Sequence, residues 1–392
     1  MNLYFFTESR FDRVKGKIWT SQGFSIALWK RYLEKFDHIY VVARVQNVSE
    51  HSGDNLFELI NERVSVIDLP YYVGLIPYLK TKSKINEIIN SFIHHGDAYI
   101  CRVPGNIGTL AAKCLHKKCI PYGLEVVGDP WESLSPQAFE SPFARILQRV
   151  GKRQLQKIAY NSSAALYVTN HILQKKYPVK DGIFTIGASN VILVDDYYSI
   201  APHKVVDKNM TDQIRMLSIG TLAQLYKAPD IILKALVIVK NNGYNPFLTW
   251  FGDGQYRLKM INLAKQLGLE NNVNFPGAVK QDIIRKEFEQ TDLFVHASRA
   301  EGLPRALIEA MAYGLPCIGS SVAGIPELLS PEAIVKPNDI CGLAEKMISF
   351  IEDKMFAQNE ANKNWEESKK YHNNILKERR LSFFDELIKQ SL

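Results

Sequence analysis

The chain has 392 residues, 46% of them hydrophobic and 23% charged, with a formal net charge of +7, a composition that excludes a disordered or fibrous chain. Cys101, Cys114, Cys119, Cys317 and Cys341 form no Cys-x-x-Cys pair and no zinc spacing, and read as reduced, mostly buried thiols of a cytosolic protein. No uninterrupted apolar run approaches the ~20 residues needed to span a bilayer, and about +6 of the net charge lies before residue 200; with no nucleic-acid motif, that favours an anionic membrane surface over nucleic acid as a partner of the first half.

The N-terminus is apolar for only a few residues and has no basic start, so it reads as a first strand, 3–6, and not as a signal peptide. A long polar loop containing Gly16 and Gly23 follows, then an amphipathic helix over 24–36. Strands over 39–43, 64–69 and 98–102 alternate with helices over 85–94 and 108–116, the pattern of an α/β domain with a parallel sheet. Ligands of such sheets bind beyond the carboxyl ends of the strands. Gly16 and Gly23 then line a cleft, and Arg102 at a strand end faces it. Arg102 either holds an anionic acceptor or pairs with a neighbouring carboxylate.

The run 121–132 is an apolar strand ending in Gly128-Asp129-Pro130-Trp131. It brings Asp129 to the cleft with Trp131 beside it. Ring faces stack on sugars and carboxylates accept hydroxyl protons; the plainer alternative makes Asp129 a turn residue. Residues 142–160 form a basic helix with Arg145, Arg149, Lys152, Arg153 and Lys157, and an aromatic stretch, 71–78, precedes Lys80, Lys82 and Lys84. Both suit docking at an anionic membrane interface, and each alone is also explained by a core helix with a solvated basic face. The polar, proline-containing segment 200–212 reads as a linker, dividing the chain into domains 1–205 and 206–375 and a C-terminal helix, 376–392.

A buried strand over 215–219 ends in Gly220, and the loop from Thr221 carries Lys227 to the start of an apolar helix. Lysine at such an entry is placed to neutralise a diphosphate. Further strands end in Gly252-Asp253-Gly254 and in Gly277. The densest stretch is 296–329. An apolar strand, 293–295, runs into a turn with Glu301 and Gly302, and Pro304 opens a helix where its missing N–H costs nothing. Free N–H groups and the positive helix end converge there, a seat for phosphate. Glu301 and Glu309 repel phosphate and so suit hydroxyl groups instead. A ligand with both phosphate and sugar hydroxyls, a nucleotide sugar, satisfies both. For a single glutamate the plainer reading is a dipole cap at Glu301 and a solvated carboxylate at Glu309.

Glu301…Glu309, Ala310-Met311-Ala312, Gly314-Leu315-Pro316 and Gly324-Ile325-Pro326-Glu327 closely resemble, in type and order, the signature of the family 4 retaining glycosyltransferases (glycosyl transferases group 1). The resemblance implies an α/β chain of GT-B fold: two Rossmann-like domains facing across a cleft, the C-terminal helix crossing back to the first. It implies that Glu301 binds donor-sugar hydroxyls, that Glu309 binds the ribose, and that the amides of Gly302 and Leu303 face the diphosphate, with Pro304 and Arg305 alongside. Gly220, Thr221 and Lys227 resemble the family's Gly-Arg-Leu…Lys-Gly segment, with Thr221 replacing arginine and Ala228 replacing the second glycine. Arg299 or Arg305 then supplies the missing charge, or donor affinity is weaker. Gly252 and Asp253 match a Gly-x-Gly turn, and Gly277 the loop that cradles the base. Many members carry histidine near position 128; its absence leaves Asp129, with Glu301 and Lys227, as catalytic candidates.

The activity this resemblance implies is retaining transfer of a sugar from a nucleotide donor, uridine ahead of guanosine diphosphate, to a glycan or lipid-linked glycan hydroxyl. The setting implied is bacterial surface-polysaccharide assembly, in the cytoplasm or peripherally on the inner membrane face. No Asp-x-Asp motif occurs, so neither metal nor cofactor is expected. Lys227 and the helix amides then steady the leaving diphosphate. The rivals are an epimerase of the same fold and a catalytically dead sugar-nucleotide-binding partner.

Overall fold

Runs of Val, Ile, Phe and Tyr build two parallel sheets, each at the centre of its own unit. The computed structural model describes residues 1–20, 24, 26–49, 57–59, 61–136, 138, 139, 141–206 and 208–392, with the backbone alone at 27 and 57. Gly23, named above as a cleft residue, lies outside the described residues. The first unit comprises residues 1–128, 150–188 and 377–392, and the second 129–149 and 189–376.

The first unit contains β1 (Leu3–Val14), β2 (Lys17–Thr20), β3 (Ile39–Asn47), β4 (Phe57–Glu58), β5 (Val64–Leu69), β6 (Ala98–Val103), β7 (Gly123–Val126), β8 (Ala164–Tyr167) and β9 (Phe184–Gly187). Its parallel strands run in the order β5-β3-β1-β6-β7-β8-β9. The apolar start of β1 is buried on both faces, as a central parallel strand must be. The expected loop after residue 6 is instead strand. A register shift between Phe6 and Arg10 lets β1 continue to Val14, with Phe11 and Val14 buried. Lys15 and Gly16, both in the left-handed region, then turn the chain back into β2. Gly16 is thus a hairpin-turn residue.

Two expected helices also differ. The 24–36 stretch is helical only over Ile26–Lys30 and continues as turns. Its apolar spacing still works, because Trp29 and Tyr32 pack edge-on against Phe5 at 5.3 and 5.2 Å. The next helix begins at Leu75, since Pro77 sits in the first turn and removes no hydrogen bond. The 71–78 stretch is not an exposed aromatic surface: Tyr72 and Tyr78 are buried, and Val73, Leu75, Ile76 and Leu79 face outward. The C-terminal helix, Asn373–Ser391, packs Phe384 against Tyr32 and Phe36 with ring centroids 5.1 and 5.6 Å apart. Gly123 permits this seat, since a Cβ there would come within 2.8 Å of the Phe383 ring.

The second unit contains β10 (Gln213–Ile219), β11 (Asn245–Phe251), β12 (Val273–Gly277), β13 (Leu293–His296), β14 (Cys317–Ser320) and β15 (Ile334–Val335), all parallel in the order β12-β11-β10-β13-β14-β15. Residues 189–205, assigned above to the first domain, are held by second-unit partners. The Ser199 and His203 N–H groups donate to the Ala312 and Gly314 carbonyls, and Tyr198 Oη donates to the Ser368 carbonyl. Each sheet reverses strand order once, at β1/β6 and at β10/β13. These reversals open the crevices in which doubly wound sheets bind ligands.

Candidate functional site

At the second unit's reversal, β10 ends beside Gly220 and the chain loops to a short 3₁₀ turn, Leu225–Lys227. Lys227 folds back over Gly220, where a Cβ would meet its side chain at 2.9 Å. Gly252, at φ 138°, follows β11 and lets the Gly220 carbonyl approach to 2.0 Å of where a Cβ would stand. Trp250 Nε1 donates to that carbonyl at 2.9 Å. The Gly252 N–H donates to the Gly277 carbonyl at 2.9 Å, tying the third loop in.

From the other side of the reversal, β13 delivers His296 and the turn delivers Glu301. One carboxylate oxygen, Glu301 Oε1, accepts from Lys227 Nζ at 2.5 Å, His296 Nε2 at 2.7 Å and Ser298 Oγ at 2.7 Å. Among the described residues no donor reaches Oε2. Burial alone would push the Glu301 carboxyl up; the Lys227 ammonium and the His296 ring overcome it and hold the group well below the usual carboxylate range. Burial pushes His296 down, so its ring is neutral and donates through Nε2–H. The turn is braced by Ser320 Oγ donating to the Ser298 carbonyl and by the Gly324 N–H donating to the Gly302 carbonyl. Among the described residues no acceptor takes the N–H of Gly302 or Leu303.

These loops enclose a cavity of about 600 Å³ lined by Gly220, Thr221, Tyr226, Lys227, Gly252, Asp253, Ala278, Val279, Gln281, His296, Pro304, Arg305 and Glu309. Glu301 joins it through His296 and Lys227, and Gly277 through Gly252. Pro304 caps the Arg305–Ala312 helix, and Glu309 sits on that helix. Burial raises the Glu309 carboxyl to about 7, against the opposing pull of Arg305 and Arg285. Arg299 and Arg305 have separate duties. Arg299 forks onto Asp230 at 2.9 and 2.7 Å and bonds the Leu225 carbonyl at 2.6 Å, so it braces the loop. Arg305 is exposed and lines the cavity. Thr221 bonds within its own turn, accepting from the Ala223 N–H at 3.1 Å. Ala228 stands at φ 54°, a left-handed position that explains a preference for glycine there.

The remaining candidates lie elsewhere. Asp129 is buried and caps the short Pro130–Ser133 helix, accepting from the Trp131 N–H at 2.8 Å, while Trp131 is 40% exposed. Next to them Glu132 Oε1 accepts from the Ala323 N–H at 2.9 Å, a contact within the second unit. Arg102 donates to Glu125 at 3.0 Å, so of its two expected roles the carboxylate pair is present. Sequence reading missed His296, Ser298 and Glu125. His296 carried one usable signal: it is the last residue of an apolar strand at a carboxyl end. Among the described residues no cluster of three His, Cys, Asp or Glu is arranged for a metal ion.

Residues 202–372 match the family model described as glycosyl transferases group 1. Protein CapJ of Staphylococcus aureus is 30% identical over 362 residues, covering 91% of this chain and 88% of CapJ. The chain belongs to the glycosyl transferases group 1 family. The colanic acid biosynthesis glycosyltransferase WcaL of Escherichia coli, a putative assignment in its own name, is 27% identical over 146 residues, covering 35% of this chain and 36% of WcaL. HepE of Anabaena, solved with UDP and glucose, aligns over 97% of this chain and 98% of its own with a TM-score of 0.63 and 16% identity, a likeness of fold. The fold is GT-B, and the protein is a glycosyltransferase. Among the described residues no helix is long and apolar enough to cross a membrane.

Proposed function

We propose that the protein is a retaining glycosyltransferase that moves a sugar from a UDP-sugar to a hydroxyl of a glycan or lipid-linked glycan in cell-surface polysaccharide assembly. The observation that carries this reading is Glu301: Oε1 takes three donors, Oε2 takes none, and the cavity adjoins. A carboxyl held so acidic is no proton donor at neutral pH; it accepts hydrogen bonds from donor-sugar hydroxyls. Lys227, Arg305 and the N–H groups of Gly302 and Leu303 are donors for charge developing on the leaving diphosphate. The leaving phosphate then takes the acceptor proton, and Asp129, occupied as a cap, is given no step. Glu309 accepts the ribose hydroxyls. No metal or cofactor enters this scheme. The UDP and glucose held by HepE support the donor class, and the name of WcaL supports the setting.

The test is release of UDP from UDP-glucose, UDP-galactose and UDP-N-acetylhexosamines, with and without prenyl-diphosphate-linked saccharides. Release that requires acceptor supports transfer. Interconversion of donor sugars without acceptor is the epimerase outcome, and binding without turnover on any acceptor is the outcome for a dead partner. Peripheral membrane contact belongs to the same proposal. Val73, Leu75, Ile76 and Leu79 are exposed, as are Phe143, Ile146 and Val150 at the basic Ala144–Tyr160 helix. Co-sedimentation with phosphatidylglycerol vesicles and not with phosphatidylcholine is expected; equal recovery with both contradicts it.

A further inference from the structure

We propose that Gln281 is a positioning residue for ribose recognition: backed by Tyr197 and Arg285, it holds the Glu309 carboxylate in the orientation that accepts the donor's ribose hydroxyls. That Glu309 meets the ribose rests on the donor reading above; the arrangement around Glu309 rests on the following geometry.

Glu309 lies on the Arg305–Ala312 helix, and the Gln281–Gln290 helix brings Gln281 and Arg285 towards it. Four residues apart, these two share one face of their helix. The Gln281 amide donates to the Glu309 carboxylate and to the Tyr197 oxygen, so it bridges the two. Tyr197 closes the short 3₁₀ turn Asp195–Tyr197 and is only 9% exposed. The guanidinium carbon of Arg285 stands 4.0 Å from the centroid of its ring, and Arg285 Nη1 donates to Asp196 Oδ2 at 3.0 Å. Two helices and a turn thus meet at one carboxyl group, and Gln281 and Glu309 both line the donor cavity.

A free glutamate side chain rotates about several bonds, and ordering it for a ligand costs entropy. A carboxylate already held by a neighbouring donor meets that cost before the ligand arrives. Gln281 alone would be a poor clamp, because it is itself exposed and flexible. Its second hydrogen bond, to a buried tyrosine covered by a paired arginine, supplies the stiffness. The same groups act on charge. Burial disfavours the ionised form of Glu309, while Arg305 on its own helix, Arg285 and then Gln281 favour it. Tyr197 faces Glu309 as a neutral hydroxyl, and Asp196, Glu289 and Tyr313 complete the titratable groups around Arg285 and Tyr197. Losing Gln281 therefore both loosens the carboxylate and favours its neutral form. A network that only pinned the 195–197 turn to the helix would need Arg285 and Tyr197, and would give Gln281 no reason to face the cavity.

The test is calorimetric titration of the full chain with UDP and 2′-deoxy-UDP at pH 6, 7 and 8, in wild type, Gln281→Leu, Tyr197→Phe and Arg285→Gln. Melting without ligand first establishes that each variant is folded; Gln281→Leu, at an exposed position, serves if Tyr197→Phe or Arg285→Gln is not. Wild type is expected to prefer UDP to its deoxy analogue. In Gln281→Leu and Tyr197→Phe that preference is expected to shrink about three- to tenfold, the scale of one hydrogen bond. In Gln281→Leu and Arg285→Gln the pH at which UDP affinity rises is expected to move up from about 7. A merely structural role would weaken both nucleotides in equal proportion, with preference and midpoint unchanged, and that result overturns the proposal. Wild type that discriminates, with folded variants that discriminate equally, sinks this inference and leaves the donor reading standing. Wild type that binds neither nucleotide contradicts the donor reading itself.

Discussion

The two strand-order reversals present the same architecture and opposite degrees of locality. In the second unit His296, Ser298, Glu301, Gly302, Arg305 and Glu309 fall within residues 296–309, on a single strand, turn and helix; Lys227 and the glycine turns at Gly220 and Gly252 come to them from neighbouring strand ends. In the first unit Tyr32 and Glu125 stand 93 residues apart in the chain, and Arg380 arrives from the C-terminal helix. A seat for phosphate and hydroxyls is made by local backbone geometry, because a turn and a helix end suffice. A buried ion pair such as Arg102–Glu125 is made by tertiary packing, because no local backbone would gather it.

The contrast predicts different phenotypes for Glu125 and Glu301. Glu125→Ala takes the buried carboxylate away from Arg102 and Tyr32 and is expected to cost stability, about 3–5 kcal/mol, read as a shifted denaturant midpoint. A loss under about 1 kcal/mol would place that pair with surface ion pairs. Glu301→Gln is expected to keep the fold and lower kcat/KM about 10²–10³-fold, the scale of losing one group aimed at the transition state; near-normal turnover would remove Glu301 from the chemistry.

Glu309 sharpens the second region further. With its carboxyl raised to about 7, it is mostly neutral at pH 6 and mostly ionised at pH 8, and the ionised form accepts more hydroxyl bonds. Affinity for UDP-glucose is therefore expected to rise about tenfold over that interval, one unit of pKa being 1.36 kcal/mol. In Glu309→Gln the rise should vanish. The stability sign is opposite. A carboxyl raised in the folded state contributes stability that is full below its unfolded value and is lost as pH rises through about 7. The same variant should accordingly melt higher than wild type at pH 8. The smallest expected effect is at Ala228, whose φ of 54° carries a left-handed penalty. Ala228→Gly is expected to add about 1 kcal/mol, or about 2–4 °C in Tm; no gain would mean that the loop already absorbs the strain.

Much of the fold was legible because both sheets use apolar strands alternating with amphipathic helices. The extension of β1 was not, since Thr7 to Arg10 read as polar loop and only the register shift shows Phe11 and Val14 turning inward. The early start at Leu75 was hidden by Pro77, which the first turn tolerates. In the site, Lys227, Glu301 and Glu309, singled out by spacing and type, meet at one cavity. The choice between Arg299 and Arg305 was not legible, because it is decided by Asp230, 69 residues from Arg299. His296 and Ser298 look like ordinary strand-end polar residues until their shared acceptor is seen.

The most direct measurement is calorimetric titration of UDP and a panel of UDP-hexoses into wild type and Glu301→Gln. The account predicts that UDP binds both proteins alike, that one UDP-hexose binds wild type more tightly than UDP does, and that this advantage disappears in the variant. An advantage that survives in Glu301→Gln, or a cavity that binds neither UDP nor any UDP-hexose, would contradict it.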